Sequence, residues 1–390
     1  LLYVTMNAIR RGKQDLRLIR CIFELRTITI SGEAPQMFSC MECGTKENLI
    51  VFSLRDSAIY CHNERQLLRP ASTMKVVTAI AAIDRLGGSF QFKTTLSYTG
   101  TIEDGVLNGD VYLVGGFDPR FNSDDMGSFV DGIRRMGIDT IRGRIVADKS
   151  MKDADMLGEG WCWDDDNPVL SPLLISRRDV FVKRFVDRLR DEGVVVEADT
   201  VAGRQPGGAY EVGTRTHTID QVLMPMMKES DNLCAEALFY QLGASTGAHP
   251  ATARDARTVV RRLVEKVGLR PSDYRIADGS GLSLYNYVTA ELEVMLLRYA
   301  YQNTNIYMHL LPSLPVAGED GTLRRRMRGT FTSGNVKAKT GSVTAISSLA
   351  GYCTAANGHV LCFAIINQGI RRGSEGRAFQ DRVCEALCRP

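Results

Sequence analysis

Histidine, tryptophan and excess charge are all scarce in this chain of 390 residues, which has five histidines, two tryptophans and a net charge of +3. So small a charge gives no grounds for a nucleic-acid or other polyanionic partner and implies a bland surface. The densest basic run, Arg324-Arg325-Arg326-Met327-Arg328, reads as a solvated face or a set of ion-pair partners. None of the histidines (His62, His217, His249, His309, His359) falls in H-E-x-x-H or another metal-ligand spacing, so no metal and no other cofactor is expected. The absence of G-x-S-x-G removes the nucleophile-elbow hydrolases. No stretch approaches the roughly 20 apolar residues of a membrane span. The first thirty residues interleave basic and apolar side chains without an apolar centre, so no signal peptide is read there. Residues 1–40 are expected to form an N-terminal extension with no recognisable chemistry.

Cysteine, by contrast, is plentiful, with ten in the chain. Cys40 and Cys43 form a C-x2-C without a second pair at zinc-site spacing. Cys384 and Cys388 lie four apart in a helical pattern, where burial explains them better than bonding. So many cysteines are unusual in an oxidising compartment unless they are buried or paired.

At 390 residues the chain exceeds one ordinary core, so two or three lobes are expected. Residues 49–54 and 57–60 read as a hairpin turning at Arg55-Asp56. A buried helix follows, starting at about Ala71 or Ser72 after Pro70 and ending at Gly87-Gly88. From about 90 to 214 short β-like runs surround a helical stretch near Phe129–Met136 and an amphipathic helix near Asp179–Leu189. Val114-Gly115-Gly116-Phe117-Asp118-Pro119 within it reads as a structural turn. Helices near Ile219–Met227 and Leu233–Leu242 come next. Strands near Val336–Lys339, Ile346–Thr354 and His359–Ile366 follow, the last two joined by an Ala355–Gly358 turn, and a helix near Arg377–Leu387 closes the chain. The expected fold is α+β, with helices on a mostly antiparallel sheet built from residues 41–89 and 215–390 and interrupted by accessory β-rich lobes over 90–214.

Three short motifs carry the chemistry: Ser72-Thr73-Met74-Lys75, Ser230-Asp231-Asn232 and Lys339-Thr340-Gly341. Ser and Lys three apart on a helix share a face, so the ammonium sits beside a hydroxyl that needs a base to become a nucleophile. Each motif alone reads as a helix cap or a turn. In this order the three match the signature of serine acyl-transferases that react with β-lactams. Ser72 is the expected nucleophile and Lys75 its base, with burial near Lys339 lowering the Lys75 pKa. Ser230 is expected to pass the proton to the leaving amine, and Asn232 to hold Lys75 and the substrate amide. Lys339 and Thr340 suit a terminal carboxylate. At Gly341 a Cβ is expected to crowd the ligand, and the backbone N–H groups of Ser72 and Ser342 are the expected oxyanion donors.

With these residues and with Arg69–Lys75, Val114–Pro119, Asp278–Ser283, Gly318–Leu323 and Lys337–Gly341, the chain resembles a known family from about Met41 to Leu387. The family is that of the D-alanyl-D-alanine carboxypeptidases/endopeptidases among the class C low-molecular-mass penicillin-binding proteins, peptidase family S13. The resemblance implies a penicillin-binding, β-lactamase-like domain with inserted lobes. It also implies hydrolysis of D-Ala-D-Ala ends or crosslinks of peptidoglycan stem peptides, acylation by β-lactams, and a periplasmic or other extracytoplasmic location. The turn Trp161-Cys162-Trp163-Asp164-Asp165 matches the family's W-x-W-[DN]-D, whose last residue receives a diamino-acid amine; Asp165 is the carried-over candidate, with a helix cap or surface acid as its other reading. Leu284 stands where many relatives have Arg after D-G-S-G-L-S. The alternatives are a β-lactamase, against which stands the lack of E-x-x-x-N between the second and third motifs, and a catalytically silent wall-binding protein.

Overall fold

The computed structural model describes residues 46–54 and 58–389. The chain divides into two compact units. The first runs to Asp84 and resumes over Met224–Asn232 and from Val260 onward; the second comprises Arg85–Leu223 and Leu233–Val259.

A five-stranded sheet organises the first unit, in the spatial order Lys337–Val343, Ile346–Thr354, Val360–Gln368, Lys46–Ser53, Ala58–His62. Every pairing in it is antiparallel. Ile346–Thr354 and Val360–Gln368 are buried almost end to end, as strands are when both faces of a sheet are covered. On one face Leu349, Phe363 and Ile365 pack with Phe379, Val383 and Leu387 of the helix Gly373–Cys388. On the other, the Tyr352 hydroxyl donates to Leu297 O at 2.7 Å, tying the sheet to the helix Ala290–Gln302.

The expected hairpin at Ala355–Gly358 closes with Gly358 N–H donating to Ala355 O at 2.9 Å. The closing helix starts earlier than its apolar pattern suggests, because its first residues, Gly373 to Glu375, are exposed and carry no apolar signal. The strands Lys46–Ser53 and Ala58–His62 pair as expected. The proposed turn at Arg55-Asp56 lies outside the described residues, as do the 1–40 extension and Cys21, Cys40 and Cys43. In the basic run, Arg326 is an ion-pair partner of Asp381 at 2.6 Å, whereas Arg324, Arg325 and Arg328 are exposed.

A seven-stranded sheet forms the centre of the second unit. Its strand Thr140–Asp148 runs parallel to Val106–Asn108, Val111–Gly115 and Val195–Ala202. The helices Ser123–Arg135 and Phe181–Asp191 bury Phe129, Ile133, Phe181, Phe185 and Leu189 against Leu113, Ile141 and Ile145. Ser123–Arg135 begins before its apolar stripe because Asn122 and Asp125 form a reciprocal capping box that satisfies its first N–H groups. Val195–Ala202 and Tyr210–Thr218 escape the sequence reading because they bury no side chain fully.

The seven described cysteines form no disulfide with one another, and five of them (Cys234, Cys353, Cys362, Cys384 and Cys388) are buried. Burial, rather than pairing, accounts for these five; it also holds the Cys384 thiol well above its ordinary range. No helix among the described residues is long and apolar enough to cross a membrane.

Candidate active site

Ser72 lies in a single 3-10 turn, Ala71–Thr73, that runs directly into the helix Met74–Leu86. The turn is tightly held. Thr73 Oγ1 donates to Pro70 O at 2.8 Å, Ser348 Oγ donates to the same carbonyl at 2.5 Å, and Ala71 takes a φ of +50°. A positive φ is uncommon for alanine and persists only where the surroundings enforce it. Ser72 keeps partial exposure, while Lys75, one turn on, is fully buried.

Lys75 Nζ meets three acceptors: Ser72 Oγ at 3.0 Å, Asn232 Oδ1 at 2.7 Å and Ser280 O at 2.7 Å. An ammonium donates to all three. A neutral amine has two N–H bonds and one lone pair, and the amide and carbonyl oxygens can only accept. Of these three groups only the Ser72 hydroxyl has a proton to give, so deprotonation turns the lone pair toward it.

Ser230 sits between the helices Ile219–Lys228 and Asn232–Ala244 with φ of +61°, a turn geometry that an ordinary helix would not allow. Its Oγ accepts from Lys339 Nζ at 2.9 Å, and Lys339 also donates to Thr340 O at 2.6 Å. Lys339 is fully buried. Burial, together with the nearby Lys75 ammonium, pushes its pKa well below the ordinary lysine range. Two buried cations so placed favour loss of a proton from the pair. Because Ser230 already accepts from Lys339, its own hydroxyl proton is available for a substrate.

Among the described residues Lys337–Val343 is an edge strand of its sheet; beyond a bridge from Lys337 to Val316 and a bond from Ala338 N–H to Pro315 O, its outer side suits an extended ligand. Thr340 Oγ1 donates to Thr322 Oγ1 at 2.8 Å, and Ser342 is exposed beyond it. Gly341 makes its close approach to neighbours within the protein as well. A Cβ there would lie 2.1 Å from Ser348 Oγ, 2.8 Å from Pro70 O and 3.0 Å from Ser72 N. The crowding is internal: the glycine lets the strand close on the turn that carries Ser72, whose N–H is the expected oxyanion donor.

The first unit thus brings together Ser72, Lys75, Ser230, Asn232, Lys339, Thr340, Gly341 and Ser342. Asp165 belongs to the second unit, where it is exposed in a turn with Asn167 N–H donating to its carbonyl at 2.8 Å. No helix begins at Asp165, so the helix-cap reading falls. Leu284 is exposed, and its carbonyl accepts from Arg69 Nε at 2.9 Å.

Sequence reasoning missed the third partner of Lys75, because Ser280 acts through its backbone. The only signal was Asp278, whose carboxylate gathers Gly281 N–H at 2.8 Å, Ser283 N–H at 2.6 Å and Asn286 Nδ2 at 2.7 Å and so shapes the D-G-S-G-L-S loop. Glu293 was also missed: a carboxyl with no exposure, on a helix that reads as ordinary core. Among the described residues no group of three or more His, Cys, Asp or Glu is placed to hold a metal ion.

Comparison with known proteins agrees with this geometry. The chain is 26% identical over 399 aligned residues to the D-alanyl-D-alanine carboxypeptidase DacB of Haemophilus influenzae, covering 80% of this chain and 83% of the relative. It is 27% identical to the D-alanyl-D-alanine carboxypeptidase of Actinomadura sp. strain R39, covering 87% and 80%. The crystal structure of penicillin binding protein 4 (dacB) from Haemophilus influenzae superposes with a TM-score of 0.82 at 22% identity, over 92% of this chain and 99% of that one. The model of the D-Ala-D-Ala carboxypeptidase 3 (S13) family matches residues 44–176 and 174–388, and the chain belongs to that family.

Proposed function

We propose that this protein is a serine D,D-peptidase that cleaves the terminal D-Ala-D-Ala bond, or D-Ala crosslinks, of peptidoglycan stem peptides through an acyl-enzyme on Ser72. β-Lactams acylate the same hydroxyl. The observation that carries this reading is the position of Lys75 Nζ, held by Asn232 Oδ1 and Ser280 O and 3.0 Å from Ser72 Oγ.

In acylation Ser72 Oγ forms a bond to the scissile carbonyl carbon while neutral Lys75 takes its proton. The backbone N–H groups of Ser72 and Ser342 receive the developing oxyanion. As the C–N bond breaks, Ser230 gives its proton to the leaving amine and is resupplied from the Lys75–Lys339 pair, so no net charge leaves the site. Water then attacks the ester carbon as Lys75 takes its proton, and the acyl C–Oγ bond breaks as that proton returns to Ser72 Oγ. Asn232 orients both Lys75 and the substrate amide. Lys339 and Thr340 bind the leaving residue's carboxylate, and Gly341 keeps the strand close to Ser72.

The same reading assigns Asp165 to the amine of a diamino-acid side chain. It assigns residues 41–89 and 215–390 to a penicillin-binding domain and 90–214 to an accessory insertion. Because the substrate lies outside the membrane, it also places the protein in the periplasm or another extracytoplasmic space.

Intact-mass measurement after incubation with benzylpenicillin tests the proposal, with Ser72→Ala as control. One long-lived adduct of the drug's mass, absent from the variant, is the expected result. An unmodified protein with the drug unconsumed would sink the acylating site. Consumption of the drug without a lasting adduct would make the protein a β-lactamase instead.

A further inference from the structure

Gly318-Glu319-Asp320-Gly321-Thr322-Leu323 has no part in the chemistry above, yet it is built into the same site. Thr340 Oγ1 donates to Thr322 Oγ1 at 2.8 Å, and Thr322 itself is exposed on the 3-10 turn Gly321–Leu323. Three sets of contacts hold this turn in place. Asp320 accepts from Val316 N–H at 2.8 Å through one oxygen and from Lys228 Nζ at 2.6 Å through the other. Lys228, two residues before Ser230, donates also to Leu314 O at 2.6 Å. Gly321 has φ of +52°, and a Cβ on it would lie 2.6 Å from Lys228 O, so the loop docks backbone to backbone on the segment that carries Ser230. Leu323 anchors the other end with no exposure.

We propose that Thr322 is a specificity-determining residue for a free terminal carboxylate, acting as the second hydroxyl of a coupled Thr322–Thr340 pair. The inference rests on the reading of Ser72 and Thr340 given above and adds a residue to it. A carboxylate only accepts hydrogen bonds, so Thr340 must turn its proton from Thr322 toward the ligand. Thr322 then supplies its own proton to Thr340 Oγ1. Such a chain polarises the hydroxyl that faces the anion, which a lone threonine cannot do. A neutral terminus, able both to donate and to accept, gains less from the reversal. The Lys228–Asp320 pair keeps the second hydroxyl within reach without touching substrate, which makes both positioning residues.

The test uses two thioesters with the same N-acyl-D-alanyl part, one releasing a thiol that bears a free carboxylate and the other its neutral amide. Values of kcat/KM are compared for the full chain, Thr322→Val and Thr322→Ser, with benzylpenicillin acylation of the parent as reference. Loss of one hydrogen bond in the pair lowers the acid-to-amide preference of Thr322→Val by roughly fivefold to tenfold, and Thr322→Ser restores it. An unchanged preference in Thr322→Val overturns the inference, as does an equal loss on both thioesters, which would make Thr322 only a structural residue. A parent that benzylpenicillin fails to acylate overturns the catalytic reading and this inference with it. An acylated parent with unchanged preference in the variant overturns this inference alone.

Discussion

The backbone carbonyl of Ser280 accepts a 2.7 Å hydrogen bond from Lys75 Nζ, and the same nitrogen contacts the Ser72 hydroxyl at 3.0 Å. Together with Asn232 it fixes the direction of the lysine lone pair. In the proposed mechanism Lys75 therefore supplies orientation as much as basicity.

Lys75→Arg tests that claim, because a guanidinium keeps the charge but does not deprotonate near neutral pH. Penicillin acylation of this variant is expected to fall by about 10²- to 10⁴-fold, the usual range for loss of a positioned base. Stopped-flow or quenched-flow adduct formation measures it. A fall of less than threefold would show that another group takes the Ser72 proton.

Asn232→Ala removes one of the two acceptors that aim the amine while leaving Ser280 O in place. We expect acylation to slow by roughly 10-fold to 100-fold, with a smaller change in thermal midpoint than the rate loss suggests, since one charged-group hydrogen bond is worth about 1.5–3 kcal/mol. Equal acylation rates in variant and parent would remove Asn232 from the machinery.

Gly341→Ala puts a Cβ into space held by Ser348 Oγ, Pro70 O and Ser72 N. Overpacking of this kind costs about 1–3 kcal/mol, and here the strain falls on the turn that carries Ser72. A lower thermal midpoint together with slower acylation is expected. Adding Ser348→Ala should recover part of the stability, because the shortest clash, 2.1 Å, is with that hydroxyl. No recovery in the double variant would place the strain at Pro70 and Ser72 alone.

Glu293 makes a pH prediction. It is fully buried, and among the described residues neither carboxyl oxygen has a hydrogen-bond partner of good geometry. Burial pushes its pKa from 4.5 up to about 8, with the Thr73 hydroxyl offsetting this only in part. Between these two values the unfolded chain has released the proton and the folded chain retains it. Stability from this group is therefore complete below about pH 4.5, falls as pH rises, and levels off above about pH 8. Glu293→Gln removes the slope, so its gain in thermal midpoint over the parent is larger at pH 8 than at pH 5. Parallel midpoint curves for the two proteins would show that Glu293 is not neutral in the fold.

Much of the site was legible in the sequence because its parts lie on short local patterns. The three-residue spacing of Ser72 and Lys75 was enough to bring the two side chains together, and Pro70 marks the start of the 3-10 turn that leads into the helix Met74–Leu86. Lys339-Thr340-Gly341 falls on a strand followed in the chain by two apolar runs, Ile346–Thr354 and Val360–Gln368, that a short turn joins. Periodicity and turn chemistry act within a few residues, so they can be read without knowing the fold.

Contacts between residues far apart in sequence were not legible. Ser280 meets Lys75 across 205 residues through a carbonyl that every residue possesses. Thr322 meets Thr340 on a turn that Asp320 and Lys228, 92 residues apart, help to pin. Gly341 was readable as a site of close approach, but only the packing of Pro70, Ser72 and Ser348 decided what approaches it. The sequence by itself determined the local helix, strand and turn that carry each motif, since these follow from steric and hydrophobic preferences over one or two turns. The tertiary structure alone decided which acceptors surround the Lys75 amine, because lone-pair direction depends on backbone atoms that only long-range packing brings together.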